Sequence, residues 1–195
     1  MPTGRAEAFS DGVFAIVITL LILTVKTPGS GPLAHSLERL WPSYLAYVVS
    51  FLTIGIIWVN HHTMFRHFAY LDRTMLFLNV LFLMVVAFIP FPTQVVAEHL
   101  RTGADRRAAA LLYGITLTGL AVMFLFVWLY GSRRLLSPEA DRREVSGITR
   151  SYLPGTPLYL TATLLAFASP VASLAMFAAI ALFYVLSSSF FGRDE

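Results

Sequence analysis

The stretch Ala6–Leu23, "AEAFSDGVFAIVITLLIL", decides the fold. It is nearly long enough to cross a bilayer core of ~30 Å as one α-helix, yet it carries Asp11 near its start. An ionisable side chain inside a membrane costs roughly a few kcal/mol unless it is paired or wet. A partner for Asp11 is therefore expected on another helix.

The rest of the chain repeats the same character. Of 195 residues, 57% are apolar and only 13% charged, against about a quarter charged in soluble domains. Uncharged runs follow one another to the C-terminus, which makes this an integral membrane protein. The absence of cysteine excludes a disulfide framework and thiolate metal sites. The net charge of +3 comes from basic loops between apolar runs, a pattern of membrane topology rather than nucleic-acid binding. The first run has an acid at its start and no small-x-small cleavage site after it, so it is expected to stay as a span rather than leave as a signal peptide.

Six spans are predicted, approximately 7–25, 42–65, 74–96, 108–130, 156–169 and 171–191, forming one all-α transmembrane domain over 1–195. "KTPGSGP" closes the first span as a turn-rich loop. Pro90 and Pro92 should bend the outer part of the third, because each removes a backbone donor. The last apolar stretch, Thr156 to Phe191, would reach ~54 Å as a single helix, so it is divided at "ASPVAS" around Pro170. The fifth span is then short for a crossing.

With six spans, nine basic residues share one side (Arg5, Arg66, Arg73, Arg133, Arg134, Arg142, Arg143, Arg150 and Arg193). Five lie on the other (Lys26, Arg39, Arg101, Arg106 and Arg107). The positive-inside rule places both termini in the cytoplasm of a multi-pass cell-membrane protein. Ser132–Arg150 becomes a cytoplasmic loop in which Ser137-Pro138-Glu139 reads as the start of a solvated surface helix.

This orientation brings polar residues of three helices to one depth: Ser10 and Asp11 on the first, Trp58, Asn60, His61 and His62 on the second, and Asn79 on the third. A buried network of these groups would satisfy them together, with Arg5 as the positive partner. It is read as a structural clasp before a chemical site. At ~100° per residue, Gly12, Ile16, Leu20 and Leu23 line one narrow stripe of the first helix, with Thr19 at its edge and Asp11 pointing away. Taken alone, such a stripe faces lipid or core.

"RAEAFSDGVFAIVITLLIL", Arg5–Leu23, resembles the first-helix signature of the endolysosomal potassium channel family and its bacterial relatives, R-x-x-x-F-S-D before an apolar run. Arg5, Phe9, Ser10 and Asp11 match it position by position. "IGIIWVNHHTMF" is similar to the family's Trp and His-His segment on the second helix, and "LNVLFLMVVAFIPFPT" to its third. The resemblance implies a potassium-selective cation channel without a carbonyl-lined TVGYG filter, a motif this sequence lacks. It further implies a homotetramer in which first helices line the pore, with Ile16, Leu20 and Leu23 as a hydrophobic constriction and Thr19 tied to selectivity. The permeant ion is then potassium. No cofactor or metal is expected, and the protein is not an enzyme.

Two other classes fit less well. A proton-coupled transporter using Asp11, His61 and His62 would exploit histidine titration near neutrality, but the chain has no inverted repeat. A membrane metalloenzyme is disfavoured because His61, His62 and His67 do not recur at the i, i+3 or i, i+4 spacing that puts ligands on one helix face.

Overall fold

The computed structural model describes residues 2–28, 32–100 and 105–191, with side chains up to residue 186. The described chain is helical: α1 (Thr3–Leu20), a 3₁₀ turn (Leu21–Thr24), α2 (Leu33–Arg39), α3 (Trp41–Arg66), α4 (Arg73–Phe88), α5 (Pro90–His99), α6 (Arg106–Arg134), α7 (Arg142–Tyr152), α8 (Gly155–Ala168) and α9 (Pro170–Phe191). Among the described residues four helical stretches are long and apolar enough to cross a membrane: Thr3–Thr24, Trp41–Arg66, Arg73–His99 and Arg106–Arg134. The apolar part of α9, Pro170–Leu186, is shorter.

Local chemistry sets the helix ends. α3 starts with Pro42 in its first turn, where a missing N–H costs nothing. Asp72 caps α4 by accepting from the Met75 N–H at 2.8 Å and also accepts from the Tyr130 hydroxyl of α6. Burial pushes the Asp72 carboxyl up, but bonds from Tyr130 and Met75 with the nearby Arg134 outweigh it and hold the group below its ordinary range. At the prolines the helix is interrupted by one residue: α4 ends at Phe88 and α5 begins at Pro90, with Ile89 between them still in helical conformation. Ser169 is extended, at φ −150° and ψ 106°, and separates α8 from α9 where "ASPVAS" predicts it.

Residues 33–39, between the first two predicted spans, form the short helix α2. The expectation for Ser137-Pro138-Glu139 needs correction, because no helix starts there. The Ala140 N–H donates to the Ser137 carbonyl at 3.0 Å, a turn with proline at its second position. α7 starts later, where Asp141 accepts from the Arg143 N–H at 2.8 Å. The Ser137 N–H donates to the His67 carbonyl at 2.9 Å. That bond belongs to a junction between the α3–α4 and α6–α7 connections, where Phe68 and Leu136 form an isolated antiparallel bridge.

α6 is the spine of the bundle, packing against α4, α5, α8 and α9. Its contact with α8 is built from small residues. Ala110 and Gly114 on α6 meet Ala162, Thr163 and Ala166 on α8, and all five are buried. Small side chains at i, i+4 let backbones approach closely where lipid offers no hydrophobic drive between helices. Thr118 and Thr163 add a hydroxyl bond at 2.8 Å. A Cβ at Gly114 would meet Thr163 Oγ1 at 2.7 Å, Cγ2 at 2.9 Å and Cβ at 3.0 Å, whereas one at Gly119 meets open space. Thr163 is β-branched and cannot swing all three atoms aside. Gly114→Ala should therefore destabilise by about 1–3 kcal/mol. Gly119→Ala should be neutral or gain up to about 1 kcal/mol from helix propensity. Thermal unfolding of both variants in detergent checks this, and equal shifts would mean that the α6–α8 contact is not tight.

Candidate functional site

α1 has two faces with opposite fates. Ala6, Ser10, Phe14, Val17, Leu21 and Thr24 are buried, a row at three- and four-residue spacing turned toward α3 and α4. On the other side Ile16, Leu20 and Leu23 stand 61%, 44% and 72% exposed within the chain. Gly12 and Thr19 are exposed with them. The change to 3₁₀ geometry at Leu21–Thr24 sharpens the division, because residues three apart eclipse there. Leu20 therefore stays in line with Leu23, and Leu21 with Thr24. The Thr19 hydroxyl donates to the Ile16 carbonyl at 2.8 Å. Its oxygen lone pairs are left outward.

The buried face is fixed by a directional chain of hydrogen bonds. His61 Nε2 lies 2.9 Å from Asn79 Oδ1, and since the amide oxygen accepts, the imidazole donates. Asn79 Nδ2 donates to Ser10 Oγ at 3.0 Å, and Ser10 Oγ donates to the Ala6 carbonyl at 2.8 Å. α3, α4 and α1 are thus tied at one depth. His61 is only 1% exposed and sits among phenylalanine rings. It stacks on Phe65 at 4.2 Å and Phe82 at 5.6 Å between centroids, and meets Phe14 edge-on at 5.6 Å. This aromatic cage was not anticipated. Its signal in the sequence is that Phe14 follows Ser10, and Phe65 follows His61, by four residues, on the same helix face.

The expected single buried network is not what forms. Asp11 is exposed and accepts from Trp58 Nε1 at 2.8 Å, a separate link from α1 to α3. Asn60 bonds instead outside the set: its backbone carbonyl accepts from the Tyr152 hydroxyl at 3.3 Å. His62 and Arg5 are exposed and bond to no other member of the set among the described residues. The reason is angular. Successive helix positions diverge by about 100°, so Ser10 and Asp11, or His61 and His62, cannot both face one inward cluster.

Asn79→Ala should cost about 1–3 kcal/mol by stranding the His61 N–H in an apolar cage. Replacing the whole chain with apolar groups, Ser10→Ala with His61→Phe and Asn79→Leu, should recover much of that loss, because no polar group is then left unsatisfied. Thermal unfolding of the two variants in detergent compares them. A triple variant less stable than Asn79→Ala would mean that the three polar groups contribute net stability as a unit.

Residues 5–90 match the family described as "Endosomal/lysosomal potassium channel TMEM175". A potassium channel of Streptomyces collinus is 46% identical over 187 residues, covering 93% of this chain and 91% of that protein. One of Chamaesiphon minutus is 44% identical over 194 residues, covering 96% and 95%. The crystal structure of the Chamaesiphon minutus lysosomal potassium-selective channel TMEM175 homolog superposes with a TM-score of 0.88 at 42% identity, covering 95% of this chain and 97% of that one. The human endosomal/lysosomal proton channel TMEM175 is 36% identical over 183 residues, which is 85% of this chain but 35% of the human protein. With bacterial relatives this similar along nearly its whole length, the chain belongs to the TMEM175 family.

Proposed function

We propose that this protein is a potassium channel whose pore is lined by α1 from each of four copies. The observation that carries the reading is the bare row of Ile16, Leu20 and Leu23 on a helix whose opposite face is fully packed. Related bacterial proteins are named potassium channels, which favours a conduction path for this row over lipid contact alone. A pore on a symmetry axis needs several copies of the same helix, because one chain supplies one such row.

In this reading the apolar rings form a neck that gates by dewetting, since branched aliphatic side chains cannot replace an ion's hydration shell. Opening requires the α1 helices to rotate or move apart. Thr19, its hydroxyl hydrogen already used on the Ile16 carbonyl, offers oxygen lone pairs to a cation beside the neck. Six crossings complete the architecture, with both termini cytoplasmic in the cell membrane. α8 has 14 residues, about 21 Å of helix against a ~30 Å core. It follows directly on the amphipathic α7, whose Val145, Ile148 and Tyr152 pack on the core.

The proton-relay alternative loses its geometry within a chain. Asp11 and His62 are exposed while His61 is caged among phenylalanines, and among the described residues Asp11 and His61 hydrogen-bond to different partners. The vertebrate relatives named proton channels make proton flux the second measurement.

Ile16→Asn should wet the neck, raising potassium flux into liposomes and lowering the potassium-over-sodium preference several-fold. Unchanged flux and preference would remove Ile16 from the conduction path. Asp11→Ala loses the Trp58 bond, worth about 1 kcal/mol in so exposed a place. It should reduce the yield of tetramer on gel filtration without altering ion preference. An intact tetramer with altered preference would instead put Asp11 in the permeation path.

A further inference from the structure

At the end of the bundle away from the Phe68–Leu136 bridge, α3, α5, α6 and α9 line an open-sided cavity of about 530 Å³. Its walls are apolar, with Trp41, Leu45 and Val49 from α3, Val96 from α5 and Leu174 and Ala178 from α9. The size falls in the ~300–1,000 Å³ range of sites that hold small, largely apolar ligands. Water gains little in such a space, because it finds few polar partners there.

One charged residue lines the cavity: Arg106, the first residue of α6. Its Nε is buried and has no hydrogen-bond partner. Among the described residues no carboxylate lies within ion-pair distance of it. A buried guanidinium N–H without an acceptor is costly, and such exceptions call for an occupant. Trp41 stands at the same end, where α3 begins, as tryptophans do at membrane interfaces.

An apolar crevice below an unneutralised guanidinium is complementary to an amphipath with a hydrocarbon chain and an anionic oxygen at its head. We propose that the crevice holds one acyl chain of a membrane phospholipid whose phosphate is bound by Arg106. The planar guanidinium fork suits phosphate oxygens, and the lipid is present wherever the protein is. The bound chain fills the gap where α9 meets α3, and so the lipid is a structural ligand of the peripheral helices. This reading does not depend on what crosses the pore.

The test uses the full chain, purified in detergent and stripped of lipid, titrated with phosphatidylglycerol carrying brominated chains while tryptophan emission is recorded. Saturable quenching at one lipid per chain is expected, and it should disappear in Trp41→Phe. Arg106→Gln should need about tenfold more lipid, whereas Arg106→Lys retains most of the affinity by keeping the charge. Ala175→Phe plugs the crevice and should abolish quenching with an unchanged gel-filtration profile. Equal titrations of wild type and Arg106→Gln would overturn the proposal, as would no saturable quenching in the wild type, the crevice then being closed by a second copy of the chain. Should Arg106→Gln fail to fold, brominated diacylglycerol on the wild type decides the matter. Affinity equal to that for phosphatidylglycerol overturns the role of phosphate, and much weaker binding upholds it.

Discussion

The chain of hydrogen bonds from His61 through Asn79 and Ser10 to the Ala6 carbonyl fixes how α1 is rotated. In a bilayer there is no water to replace a lost partner, so three helices must present their polar groups to one another at one depth. Once Ser10 is held inward, the helical repeat turns Phe14, Val17 and Leu21 inward with it. Ile16, Leu20 and Leu23 are then left bare on the other side. The bare row is thus a consequence of where the polar chain sits. The 3₁₀ turn extends this division through the last residues of the first helical stretch.

A second constraint acts at the far side of the bundle. α6 and α8 touch through Gly114 and Thr163 so closely that a methyl group would not fit. Two polar links, Thr118 with Thr163 and Ser173 with the Ala162 carbonyl at 2.6 Å, hold α8 against α6 and α9. Near the Phe68–Leu136 bridge, Trp128 is fully buried and donates to Thr149 at 2.9 Å, which seats α7 on the spine. His67 strengthens the same corner, with Nδ1 2.8 Å from the Thr63 carbonyl and Nε2 3.2 Å from Glu144. The peripheral helices are therefore positioned independently of α1. In the proposed channel, α1 would then move against a fixed frame.

Four spans were legible because each is a run of about 20 apolar residues between charged or turn-rich segments, a signal that needs no tertiary context. The break near Pro90 and the one at Ser169 were legible for a similar reason, since proline cannot donate to the preceding turn. Short amphipathic pieces were less legible. α2 has seven residues, too few for periodicity to separate helix from loop. Ser137-Pro138-Glu139 carries a helix-start pattern, yet the chain turns there, with Phe68 and Leu136 bridged beside it and the Ser137 N–H donating to the His67 carbonyl. Such a long-range bond leaves no local trace.

The same boundary runs through the functional residues. The sequence by itself determined that polar residues of three helices share a depth, and that α1 carries a narrow aliphatic row with one hydroxyl. Both follow from counting along helices of known rise and pitch. Only the tertiary structure decided which members of the polar set meet, because rotation about a helix axis is set by packing. It separated Ser10 from Asp11 and His61 from His62, enclosed His61 in aromatic rings, and left Arg106 at the edge of an apolar cavity. Depth is a one-dimensional property that the chain writes directly, whereas facing is a relation between helices that exists only once they have packed.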